Sequence, residues 1–181
     1  MRFFSKVFFS ILILAFGAGF FVFLYRSERV GKLPAIILGR DYLKYANYKY
    51  KFSLEYPKEL KTESFLEKDG SEIILFKSDD LVNSPKVGFQ IFIIPFTGDG
   101  ILTKERILRD LPNVFIEDFK PILLGTLTNK QQEAFLFWSR DPVLGKTREV
   151  WFTRGEYLYE ITTYEHLDSW LAKILSTWRF E

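Results

Sequence analysis

From Val7 to Tyr25 the chain reads VFFSILILAFGAGFFVFLY, nineteen residues without a charge. Wound as a helix at 1.5 Å per residue, this run spans about 28 Å, close to the hydrocarbon thickness of a bilayer. If the run stays in the bilayer, whatever follows it folds on a tether. The competing reading is a cleaved secretory signal, because Ala15-Phe16-Gly17 and Gly17-Ala18-Gly19 supply small residues. A cleaved signal turns polar before its small-residue site, whereas here Phe20 to Tyr25 carries the apolar run past both candidates. The expectation is an uncleaved single-pass anchor, with residues 7–25 in contact with the lipid bilayer.

Charge around the run bears on which side the rest lies. Arg2 and Lys6 precede it with no acidic residue, which favours an N-terminus in the cytoplasm and a domain outside it. Arg26, Arg29, Lys32 and Arg40 follow closely against Glu28 alone, so the positive-inside count opposes that choice. Long domains translocate largely regardless of such charges. We expect an extracytoplasmic domain, with the cytoplasmic orientation as the alternative.

The formal net charge of the chain is +2, and Arg2 with Lys6 accounts for all of it. The remainder is formally neutral, which argues against nucleic acid as a partner, since phosphate neutralisation drives that binding. The chain has no cysteine, so disulfides, thiolate metal sites and thiol nucleophiles are excluded.

The sequence divides into an anchor (1–25), a basic juxtamembrane connector (26–45) and one domain (46–181) expected to fold without the anchor. Aromatic and β-branched residues in the domain favour a sheet with a bulky core. Tyr48 to Tyr56 alternates apolar and polar residues up to Pro57, the pattern of a half-buried strand. Thr62–Lys68 and Glu72–Lys77 flank Asp69-Gly70, a hairpin signal. After a turn at Asn83-Ser84-Pro85, Val87–Ile94 reads as a central strand. The loop Thr97–Gly100 then leads to a short helix capped by Thr103, with Ile107, Leu108 and Leu111 as its buried stripe. Ile122–Thr128, Glu133–Ser139, Lys146–Thr153 and Tyr157–Tyr164 have short connections and predict an antiparallel meander. Leu167, Trp170, Leu171, Ile174, Leu175 and Trp178 fall at helical spacing, with Asp168 as a cap. The predicted fold class is α+β: six or seven antiparallel strands, a mid-chain helix and a C-terminal amphipathic helix covering the sheet.

Two stretches carry a resemblance. YKFSLEYPKEL, residues Tyr50 to Leu60, and ILSTWRF, residues Ile174 to Phe180, resemble the opening strand and closing helix of the PsbP-like fold family, in particular its small anchored bacterial members. Trp178 stands where phenylalanine is usual and Arg179 where lysine is. The resemblance implies the fold and a small, non-enzymatic, often extracytoplasmic accessory domain. The namesakes assist photosystem II, and another protein of the fold binds the GTPase Ran. No residues here match either functional surface, and fold does not fix function.

Candidate chemistry is sparse. His166 is the only histidine, so zinc sites of the histidine type are out of reach, and a hydrolase would have to pair it with a distant serine. Asp79-Asp80 and Glu117-Asp118 are paired acids in predicted loops, and Asp99 lies between two glycines in a plain turn. No cofactor or metal site is predicted, and the chain is read as a non-enzyme. Arg26, Arg29, Lys32, Arg40, Lys44, Lys49 and Lys51 form a candidate contact with anionic headgroups. Trp138, Trp151 and Tyr159 form a candidate aromatic pocket, although core burial is the simpler fate for tryptophans on alternating strands. The functional reading is a membrane-tethered, non-catalytic interaction domain with an unknown protein partner. A small-ligand binder and an unrecognised hydrolase are the alternatives.

Overall fold

The computed structural model describes residues 41–78, 87–96, 101–112, 114–125, 131–141 and 145–181. The expected anchor, most of the connector, Asp79, Asp80, Asp99 and the turn at Asn83-Ser84-Pro85 lie outside the described residues. Among the described residues no helix is long and apolar enough to cross a membrane.

Among the described residues, ten strands and two α-helices follow in the order β1 (Tyr42–Asn47), β2 (Phe52–Pro57), β3 (Leu60–Leu66), β4 (Glu72–Ser78), β5 (Gly88–Pro95), α1 (Lys104–Asp110), β6 (Phe115–Leu124), β7 (Gln132–Asp141), β8 (Gly145–Arg154), β9 (Tyr157–Tyr164), α2 (Asp168–Ser176) and β10 (Arg179–Phe180). A seven-stranded sheet has the order β3-β4-β5-β9-β8-β7-β6, and a three-stranded sheet the order β1-β2-β10. Every strand pair is antiparallel. The α+β class and the meander β6-β7-β8-β9 are as the sequence predicts.

Several local readings change. Tyr48–Lys51 is not strand but the turn of the β1–β2 hairpin. Asn47 makes the turn by accepting from the Tyr50 amide at 3.1 Å, and Lys51 adopts a positive φ of 54°. Alternation alone could not reveal this, because a turn of four residues can alternate by chance. Strand β6 begins at Phe115, seven residues before the predicted start. A register shift between Glu117 and Lys120, with Asp118 at φ 58°, lets this acidic stretch pair as a bulged strand instead of forming a loop.

The last helix stops at Ser176, so Trp178 lies beyond it. Thr177 ends it, its hydroxyl donating to Ile174 O at 2.7 Å and accepting from the Glu55 amide at 2.8 Å. Arg179–Phe180 then pairs with β2, which joins the chain's end to the opening strand. Asp168 does not cap this helix. Leu167 occupies the N-cap without a side-chain bond, and the Asp168 carboxylate is taken by Arg148. Thr103 does cap α1, accepting from the Arg106 amide at 3.2 Å. Ile107 and Leu111 are buried there, whereas Leu108 is 43% exposed, because a helix of two turns buries only its i, i+4 line.

The sheet has two dissimilar faces. Rows such as Ile91–Ile161–Val150–Leu136 lie under α2 and the small sheet. Here Phe52 stacks on Trp178 at 4.5 Å, Phe76 on Phe89 at 4.3 Å and Phe152 on Tyr159 at 4.6 Å. On the other face α1 packs Ile107 and Leu111 against Phe137, Trp151 and Leu158.

Candidate functional site

Of the candidate headgroup contacts, Arg26, Arg29, Lys32 and Arg40 lie outside the described residues. Lys44 is exposed on β1, opposite Glu55. Lys51 is exposed in the turn. Lys49, in the same turn, is committed to an ion pair with Glu72 at 3.0 Å. Partial burial pushes the Glu72 carboxyl up, but hydrogen bonds from Ser64 and Lys49 more than offset it and hold the group below its usual range.

The aromatic trio is not brought together. Register sets Trp138 opposite Arg148 and Trp151 opposite Phe135, so the two tryptophans do not pair across the meander and occupy opposite faces. Trp151 is 2% exposed under α1, and Tyr159 is 1% exposed beneath the small sheet. Burial pushes the Tyr159 hydroxyl up to about 12, and it donates to Tyr50 O at 3.5 Å. Trp138 is half-buried, with the Arg148 guanidinium 3.4 Å and the Lys146 ammonium 4.8 Å from its ring centre.

His166 is exposed in a 3-10 turn, Glu165–Leu167, its ring stacked on Tyr164 at 5.9 Å. Glu117 pairs with Arg140 at 3.6 Å and Lys146 at 3.4 Å, which accounts for its charge without chemistry. Among the described residues no three His, Cys, Asp or Glu side chains converge to hold a metal ion.

Two features were not read from the sequence. The first is a polar row buried on the α1 face, Gln90–Thr162–Glu149, with Ser139 and Thr147 beside it. Glu149 accepts from Thr147 at 2.7 Å, Thr162 at 2.7 Å, Ser139 at 3.0 Å and the Trp151 indole at 3.4 Å. Burial raises its carboxyl above the usual range, and those four donors oppose the rise. Glu160, one row along, is raised well above it by burial, with Glu149 and Asp110 adding repulsion. The sequence signal is slight: one glutamate in each of β8 and β9, Glu149 and Glu160, within otherwise largely apolar or hydroxyl-bearing runs.

The second feature is a groove of about 320 Å³ between α2 and the outer strands β6 and β7. Leu171, Ala172 and Leu175 form one wall, Ile122 to Gly125 the other, with Leu136 between them. Arg148 and Asp168 close one end. Their pair is a fork: Nε donates to Oδ1 at 2.7 Å and Nη2 to Oδ2 at 3.2 Å. With Trp138 against its face, the Arg148 guanidinium is fixed from two sides, and the residue is only 5% exposed. Its Nη1 is buried and has no acceptor among the described residues.

The sequence matches no protein-family model and no curated protein. Among solved structures, the chain is similar to the solution structure of cyanobacterial PsbP (CyanoP) from Synechocystis sp. PCC 6803. The TM-score is 0.50 and the identity 14%, over 87% of this chain and 99% of that one. The chain has a PsbP-like fold. At that identity the likeness carries architecture and no site residue.

Proposed function

We propose that this chain is a non-catalytic accessory domain, held at a membrane by the uncleaved run Val7–Tyr25 and acting by contact with another protein near the bilayer, outside the cytoplasm. The observation that carries the reading is the combination itself: a PsbP-like fold joined to a nineteen-residue apolar run. Further support comes from how the described polar side chains are used. Glu149, Glu72 and Arg148 are bound to neighbours inside the fold. Arg26, Arg29, Lys32 and Arg40, with Lys44 and Lys51, add attraction to anionic headgroups of about 1 kcal/mol each near the surface. Lys49 is left out of that set because it is paired with Glu72.

Carbonate extraction of native membranes tests the tether. The chain should stay in the pellet with an intact mass beginning at Met1; a mature form starting after Gly17 overturns it. Protease added to spheroplasts should digest the domain, and full protection would place it in the cytoplasm. A hydrolytic activity of the purified full chain that His166→Ala abolishes would defeat the non-catalytic reading.

A further inference from the structure

Among the described residues the order of the large sheet leaves β3 and β6 as its edges. An edge strand offers unpaired main-chain N–H and C=O groups, and proteins usually blunt it with proline, charge or a bulge. Strand β6 carries those devices only in its first part: Glu117, Asp118, the register shift before Lys120, and Pro121. Beyond them Ile122–Leu123–Leu124 is apolar, and Leu123 is 58% exposed. The groove lies along this unprotected part. Successive side chains of a strand point to opposite faces, so a groove bordered by four consecutive residues is bordered by the strand's main chain. The opposite wall is one helix face, Leu171, Ala172 and Leu175.

Size and charge narrow the occupant. A volume of about 320 Å³ is at the bottom of the range for small-molecule pockets and suits one or two aliphatic side chains. The ionic groups at the groove, Arg148 and Asp168, neutralise each other, so a charged head group finds no net attraction.

We infer that β6 at Ile122–Gly125 receives an extended, uncharged segment of a partner polypeptide as an eighth strand, with an apolar side chain of that segment entering the groove between β6 and α2. Main-chain pairing supplies affinity and the groove supplies selection. This rests on the accessory-domain reading above and gives it a contact surface.

The test uses the full chain in nanodiscs, panned against random decapeptides displayed on phage. Enriched peptides should be uncharged and alternate apolar with polar residues. For a synthetic copy of one of them, Ala172→Trp should weaken binding at least tenfold, because it fills the groove from an exposed helix position. N-methylation of alternate peptide amides should do the same, while Leu66→Lys on the other edge should change it less than twofold. No enrichment, charged ligands, or affinity indifferent to Ala172→Trp would overturn the inference. Binding of decanoate that Ala172→Trp abolishes, without peptide binding, would overturn it in favour of a small amphiphile. Amides of Ile122–Gly125 already protected from exchange in the free chain, and exposed on deletion of residues 1–40, would overturn it by showing the chain's own segment there. Peptides bound elsewhere would sink the groove and spare the accessory role; release by carbonate would do the reverse.

Discussion

The two faces of the seven-stranded sheet are buried by different means. Under α2 and the small sheet the interior is largely hydrocarbon, with aromatic rings at contact distance from Tyr45 through to Phe180. Under α1 a smaller apolar cluster shares the face with a buried row of hydroxyls and two glutamates. The first face gains from every area removed from water. On the second, the apolar gain is offset by the cost of placing carboxyls in a poorly solvated site, which only hydrogen bonds recover. The aromatic face should therefore carry most of the stability, and the polar face should hold reserves that substitution can release.

The largest loss of stability is expected from Trp178→Ala. This side chain is fully buried and touches Phe52, Phe152 and Phe180, so its loss should cost about 3–5 kcal/mol in urea unfolding. A cost under about 1 kcal/mol would show that the aromatic face is not where stability resides.

Asp168→Ala leaves Arg148 buried without its partner. Removing one member of a buried pair is expensive, but the Asp168 side chain is 41% exposed and water can reach the site. The expected loss is about 2 kcal/mol. Arg148→Met with Asp168→Ala should recover part of it. If the double variant is no better than the single, the cost came from α2 and not from the stranded guanidinium.

Glu160→Gln sharpens the account of the polar face. A carboxyl whose folded value lies above its unfolded value near 4.5 stabilises the fold below that value. That contribution is lost as pH rises through the folded value. The natural chain should therefore weaken from pH 4.5 towards pH 8, and Glu160→Gln should be the more stable of the two at pH 8. Each tenfold difference in proton affinity between the folded and unfolded chain is worth about 1.4 kcal/mol. Glu149, raised by burial in the same way, keeps some slope in the variant. Denaturation midpoints at pH 4.5 and 8 decide the matter, and a destabilised Glu160→Gln at pH 8 would show that the carboxylate is held by favourable contacts.

The smallest effect belongs to the helix covering that face. Thr103→Ala removes the α1 cap and should cost about 1 kcal/mol, read as a shift in the urea midpoint. Thr103→Ser should restore most of it.

Much of this fold was legible because its signals are local. Strands β4, β5, β7, β8 and β9 carry apolar or alternating runs bounded by turns, and Thr103 announces a helix start through chemistry that needs only the next three residues. Of the site residues the sequence offered few: Trp138 proved to be near the groove through Arg148, but Trp151 and Tyr159 are core. That Glu149 and Glu160 share a face follows from the β8–β9 register, in which Glu149 lies opposite Thr162 and Glu160 opposite Trp151. Neither that register nor the covering of the face is local, since coverage depends on where α1, which precedes β6 in the chain, comes to rest.

The apolar run of residues 7–25 and the amphipathic spacing of α2 are legible within one element, and the antiparallel α+β class in the short connections between successive strands. Only the tertiary structure decided that Arg179–Phe180 leaves the helix to pair with β2, that Asp168 serves Arg148 instead of capping, and that β6 borders a groove. Each of these joins residues far apart in the chain. Their energy comes from a partner the local pattern does not contain, so no periodicity in the chain could have announced them.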